Sequence, residues 1–233
     1  MKRIDLPYFD ERNAPVDSIV IHAVAHDVDG ALESFKRHEV SSHYLIDEKG
    51  KIYQFVDENK RAWHAGTSFW QGRESLNRYS IGIELCSQSF GQKPYPMKQI
   101  SALIRLCQRL KRKYHIKKHL ILAHSDIAPT RKADPGKAFP WGYLARRGLG
   151  VWYNLKNAKK IETKDEKELL SEIGYDVSDL NAAKWAFIRH FIGKFVPDDN
   201  IENLETKPVP DEIKIPQDEF LNVLKAVYIE IKK

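Results

Sequence analysis

Three short apolar runs constrain this chain more than any other feature: "SIVIH" at Ser18 to His22, "SIGIELC" at Ser80 to Cys86 and "HLILAH" at His119 to His124. Runs this short and this apolar read as strands buried inside a sheet. Each also delivers one chemically capable side chain to its end: His22, Glu84 and His124. The ends of strands are where an open sheet commonly meets a ligand. Between the first two runs, Gly30 breaks the chain, and "ALESFKRHEV" sets Leu32 and Phe35 three apart, which predicts a short amphipathic helix. "SSHYLID" and "KIYQFV", joined by "EKG" with Gly50, predict a hairpin. From Met97 to Lys113, Ile100, Leu103, Ile104, Cys107 and Leu110 recur at helical spacing, with Arg105, Arg109 and Lys111 opposite. The order is strand, helix, hairpin, loop, strand, helix, strand. It predicts an α/β fold with a mixed central β-sheet flanked by helices.

The 233 residues suffice for one substantial core and a small second unit. Composition shifts after Trp152, where "NLKNAKKIETKDEKE" is charged and poor in apolar residues. This predicts a catalytic domain over 1–155, a linker over 156–165 and a helical domain over 166–233. Three short helices are expected in the last: one around Leu169, Leu170 and Ile173, one after a cap at Ser178, and one from Gln217 to Ile231. "NIENLETKPVPDEIKIP" reads as a polar connector between the last two. An apolar share of 42% with 30% charged residues excludes a disordered chain. No apolar run approaches the ~20 residues of a membrane span. The N-terminus as written lacks an apolar signal core, so the expectation is cytoplasmic, or periplasmic if the N-terminus was trimmed. Cys86 and Cys107 have no metal-binding or disulfide spacing and read as core thiols. The charge of +6 bears on partners, not on fold. In "RLKRKYHIKKH" the basic residues read as a helix's solvent face without interleaved aromatics, so no nucleic-acid partner is expected.

The densest chemistry lies between Ile121 and Trp141, "ILAHSDIAPTRKADPGKAFPW". His124 and Asp134 there, with His22, supply two imidazoles and a carboxylate. Catalytic zinc usually takes three such ligands and leaves the fourth position to water. The competing reading makes both histidines satisfied core residues, and Asp126 competes with Asp134 as the carboxylate. Lys132, two residues before Asp134, shares its face in an extended stretch and could steady an oxyanion. Glu84 would serve as a general base, or alternatively pair with an arginine at the sheet edge. The long "NKRAWHAGTSFWQGRESLNRYS" loop carries Trp63, His64, Trp70 and Arg73, and a loop this long points to function.

These motifs, in order "IVIH", "VSSHYLIDEKGKIYQFV", "RAWHAG", "SIGIEL" and "HSDIAPTRKADPGKAFPW", resemble the zinc-dependent N-acetylmuramoyl-L-alanine amidases of the type 2 family. Relatives of that family include phage lysozyme-amidases and peptidoglycan recognition proteins. The resemblance implies Zn2+ on His22, His124 and Asp134, water activation by Glu84, and a carbonyl polarised by Lys132. It implies a substrate cleft lined by Trp63, His64 and Asn77, to which Arg73 is added from the same loop. Phage-type members carry a catalytic tyrosine where this chain has Ser42, so acid–base work would fall to Glu84 and His43 would be a packed residue. The expected reaction cuts the amide between the lactyl group of N-acetylmuramic acid, 1,6-anhydro forms included, and L-alanine. Expected partners are peptidoglycan or muropeptide fragments, with a monomer favoured. The tail resembles, more weakly, a three-helix peptidoglycan-binding domain, whose removal should weaken wall retention and spare cleavage of small fragments. The alternative is a recognition module that binds without cutting.

Overall fold

The computed structural model describes residues 1–160, 165–210 and 214–233. Two short strands, β1 (Lys2–Arg3) and β2 (Phe9–Glu11), precede β3 (Ser18–Val24), the first of the three apolar runs. Helix α1 (Val28–His38) starts before Gly30, not after it: the Asp27 carboxylate caps it by accepting the Gly30 amide at 3.0 Å. The hairpin forms as expected from β4 (Tyr44–Ile46) and β5 (Ile52–Gln54), with Tyr44 opposite Gln54. Its turn is set by Asp47, whose Oδ1 accepts the amides of Lys49 and Lys51 at 2.9 and 2.8 Å. The long loop contains three small strands, β6 (Lys60–Ala62), β7 (Phe69–Trp70) and β8 (Arg73–Glu74). The chain continues through β9 (Ser80–Cys86), α2 (Met97–Tyr114), β10 (Ile121–Ala123), α3 (His124–Ile127) and α4 (Trp141–Ala145).

Six strands form the main sheet in the order β1-β5-β4-β9-β3-β10. β4, β9, β3 and β10 run parallel, and the β4–β5 hairpin supplies the antiparallel pair that makes the sheet mixed. Alternation along β4 feeds both faces. Tyr44 and Ile46 join the core under α2, while Leu45 joins Phe35 of α1 on the other side. α2 buries Ile100, Leu103, Cys107 and Leu110 as its periodicity predicts. It is also pinned to β4 by the buried Glu58, which accepts hydrogen bonds from Tyr44, Arg109, Lys113 and Tyr114.

The C-terminal third forms α5 (Glu166–Ile173), α6 (Leu180–Phe191), α7 (Ile201–Thr206) and α8 (Gln217–Lys232). The three expected helices are present, and α7 is a fourth, formed where the sequence reads as a polar connector. Asp179, not Ser178, caps α6, accepting the Ala182 amide at 2.9 Å. Of the expected linker 156–165, residues 161–164 lie outside the described residues. Leu155–Lys160 makes a 3-10 turn, and Asn157 donates to Glu230 of α8 at 2.8 Å. Trp185, Phe187, Phe220 and Leu224 from the helices share one core with Trp70, Ile121, Leu122 and Trp141. The edge strand β10 is therefore packed against this helical layer.

Candidate metal centre and cleft

His22 and Glu84 both sit two residues before the ends of their strands, where β3 and β9 pair with His22 opposite Glu84. β10 ends at Ala123, so His124 opens α3 immediately beyond it. The parallel strands thus bring all three to one end of the sheet. Asp134 arrives on the loop that follows α3, locked to it because the Ser125 amide donates to the Asp134 carbonyl at 3.0 Å. A second lock needs glycine: a Cβ on Gly91 would lie 1.8 Å from the Pro135 carbonyl oxygen. The Asp134 loop and the 87–95 loop therefore approach backbone to backbone, and Tyr95 donates to the Pro135 carbonyl at 2.7 Å.

Hydrogen bonds settle which ring nitrogens face each other. Ser80 Oγ spends its proton on the Leu76 carbonyl at 2.6 Å, so it accepts from His64 Nε2 at 3.2 Å. His64 Nδ1 then accepts from His22 Nε2 at 3.0 Å, which leaves the His22 Nδ1 lone pair directed inward. Burial, with His124 alongside, pushes the His22 imidazole down to about 4, and burial likewise pushes His64 well below its ordinary value. On the other side His124 Nε2 donates to the Ala65 carbonyl at 3.3 Å, leaving its Nδ1 inward too. The two Nδ1 atoms stand 2.9 Å apart, and Asp134 Oδ2 lies 3.0 Å from His124 Nδ1 and 3.6 Å from His22 Nδ1. Three acceptors converging in a buried place need a positive charge among them, and two imidazoles plus a carboxylate fit a divalent metal.

Glu84 Oε1 is 4.0 Å from His22 Nδ1, and its Oε2 is buried with no hydrogen-bond partner. Among the described residues no arginine pairs with it, and the His22 nitrogen it approaches is the unprotonated one. Burial, and then the Asp134 charge, push its carboxyl up to about 8, while Lys132 works in the opposite direction. Lys132, Glu84, His124 and Asp134 line one cleft of about 790 Å³, which Trp63 borders with 37% of its surface exposed. A cleft of that size suits a small ligand.

The remaining expected site residues divide. His64 and Asn77 reach the cleft but face the protein: Asn77 Oδ1 accepts the His64 and Ala65 amides at 3.0 and 2.7 Å, fixing the turn that presents His64. Arg73 is not among the residues that line the cleft: its guanidinium pairs with Asp17 at 2.5 Å and covers the Tyr79 ring at 4.7 Å. Asp126 does not join the three acceptors, because its carboxylate is taken by Tyr175, His190 and the Ala123 amide, each at 2.8 Å. His43 is packed, with Nδ1 accepting the Gly82 amide at 3.0 Å, and Ser42 is buried and donates to the Tyr44 carbonyl. Two contributors were missed. Ser80 fixes the ring of His64, and Arg131 lines the cleft and donates to the Ala65 carbonyl at 3.1 Å. One signal for the first was present: glycine inside a strand marks a close approach, and a Cβ on Gly82 would strike the His64 ring at 2.4 Å.

The chain is similar in sequence and fold to known proteins. The chain is 41% identical to the N-acetylmuramoyl-L-alanine amidase AmiD of Escherichia coli over 183 residues, 68% of this chain and 66% of that protein, just under two thirds of its length. It is 37% identical to the 1,6-anhydro-N-acetylmuramyl-L-alanine amidase AmpD of Haemophilus influenzae over 60% of this chain and 88% of that one. Among solved structures, E. coli AmiD with the substrate anhydro-N-acetylmuramic acid-L-Ala-D-gamma-Glu-L-Lys superposes with a TM-score of 0.74 at 32% identity, covering 94% of this chain and 91% of that one. AmpDh3 of Pseudomonas aeruginosa in complex with anhydromuramic pentapeptide gives 0.73 at 27% identity, covering 91% of each. The superpositions span the helical layer as well as the sheet. The family model described as N-acetylmuramoyl-L-alanine amidase matches residues 12–137, from just after β2 to the loop beyond Asp134. By that match, and with its metal-ready residues inside the matched segment, this chain belongs to the N-acetylmuramoyl-L-alanine amidase family.

Proposed function

We propose that this chain is a zinc amidase that hydrolyses the bond between the lactyl group of N-acetylmuramic acid, 1,6-anhydro forms included, and the L-alanine of the stem peptide. The observation that carries this is the convergence of His22 Nδ1, His124 Nδ1 and Asp134 Oδ2, with Glu84 4.0 Å from His22 in a cleft of about 790 Å³. Zinc is the metal that this nitrogen-and-oxygen set suits best in a hydrolase. When bound, it supplies a Lewis acid for the amide carbonyl and lowers the pKa of water there. Glu84 takes the proton of the attacking water and returns it to the departing amine of L-alanine. Burial raises this carboxyl above the ordinary carboxylate range, which favours a group that both accepts and returns a proton. Lys132 steadies the negative charge that grows on the carbonyl oxygen. Ser80, His64 and the Ala65 carbonyl hold the two imidazoles in ligating orientation. Trp63 offers a flat apolar face to the sugar or peptide at the cleft rim. The muropeptides in the AmiD and AmpDh3 structures support wall fragments as the substrate class.

The test is chelation followed by zinc, with release of peptide from 1,6-anhydro-muramyl tripeptide and from intact sacculi measured side by side. Release should stop on chelation and return with zinc. A zinc-loaded protein that retains the muropeptide and frees no amine would make this chain a recognition module instead.

A further inference from the structure

The helical layer touches both segments that carry the metal-ready residues from beyond β3. Asp126, two residues after His124 in α3, accepts from the Ala123 amide at the end of β10 and from Tyr175 and His190 on the helical layer, each at 2.8 Å. At the far end of the Asp134 loop, Trp141 opens α4, seven residues after Asp134, and stacks on His190 at 3.9 Å with 19° between planes. The same loop is gripped nearer its middle: Lys137 donates to the Val196 carbonyl at 2.6 Å. There the backbones meet so closely that a Cβ on Gly193 would lie 2.3 Å from the Lys137 carbonyl oxygen.

His190 is the residue common to both contacts. It lies buried between Trp141 and Phe191, whose ring stacks at 4.1 Å, and its Nε2 has no hydrogen-bond partner. An apolar residue would fill such a sandwich without the cost of a buried, unpaired nitrogen. The imidazole is worth that cost only through its other nitrogen, which holds the Asp126 carboxylate. We propose that the helical layer is a working part of the metal centre, with His190 a positioning residue that brackets the His124 and Asp134 segments. This rests on the metal reading above. It opposes the sequence-based expectation that the helical region merely retains the protein on the wall.

The experiment measures zinc affinity of the full chain by competition with a chromophoric chelator, alongside Tm and kcat. The variants are His190→Leu, which keeps bulk and removes the donor, His190→Asn, which keeps a donor near Nδ1, and Tyr175→Phe, which removes one hydroxyl. Partners that orient metal ligands typically change affinity by about 10–100-fold. His190→Leu should therefore bind zinc about tenfold more weakly while still folded, and His190→Asn should recover most of that loss. A merely structural role would lower Tm and leave the affinity of the folded protein unchanged, and that result overturns the proposal. Should His190→Leu fail to fold, Tyr175→Phe decides: a measurable loss of affinity supports the proposal, and wild-type affinity overturns it. Wild-type protein that takes up no zinc at all would instead overturn the metal reading.

Discussion

At the scale of single residues, the site is a problem in where protons go. Each inward Nδ1 is made a lone pair by a hydrogen bond on the far side of its ring, through His64 to Ser80 for His22 and to Ala65 for His124. Glu84 stands apart from that scaffold, with one oxygen free of any partner, as a proton carrier needs. Glu84→Gln keeps the shape and removes the proton acceptor. It should leave metal content unchanged and lower kcat by about 100-fold or more, the range of a lost general base. Normal turnover on a muropeptide would place the base elsewhere. The residue types were legible in the sequence because histidine and carboxylate at the ends of apolar runs are costly to place there by chance. The direction Arg73 faces was not legible, because one charged side chain on an aromatic loop carries no information about it. Its partner, Asp17, lies 56 positions earlier.

At the scale of elements, periodicity was readable and boundaries were less so. The three apolar runs and α2 were visible because burial on one face or both leaves a period in the sequence. The start of α1 was not, because Gly30 looks like a breaker until Asp27 is seen accepting its amide. α7 is short and mostly exposed, with Leu204 its one buried residue, so it leaves almost no pattern. The tie between β4 and α2 gives a pH signature. Burial alone would raise the Glu58 carboxyl, but hydrogen bonds from Lys113, Tyr44, Tyr114 and Arg109 outweigh it and hold the carboxyl down to about 2. A lowered pKa means stability fully present above the ordinary 4.5 and lost as pH falls towards 2. Glu58→Gln should therefore cost about 2 kcal/mol at pH 7, with the gap to wild type narrowing below pH 4.5. A gap that stays constant with pH in urea melts would show that the charge is not what matters.

At the scale of the whole molecule, the composition shift after Trp152 suggested two units joined by a linker. What the sequence could not convey is that apolar residues of α6 and α8 share one core with β10, because which buried faces meet is a tertiary fact. Phe220 lies in that shared core and is fully buried. Phe220→Ala should cost about 3–5 kcal/mol and shift one cooperative transition followed by probes in both regions. Two separate transitions, with only the helical one moved, would mean that the layers fold independently.

All of this depends on one ion held by His22, His124 and Asp134. The direct measurement is zinc per chain, by elemental analysis after dialysis against trace metal, for wild type and for His22→Ala, His124→Ala and Asp134→Ala. The account predicts close to one zinc in the wild type and almost none in each variant, with muropeptide cleavage lost in step. Variants that keep a full complement of zinc, or a wild type that takes up none, would contradict it.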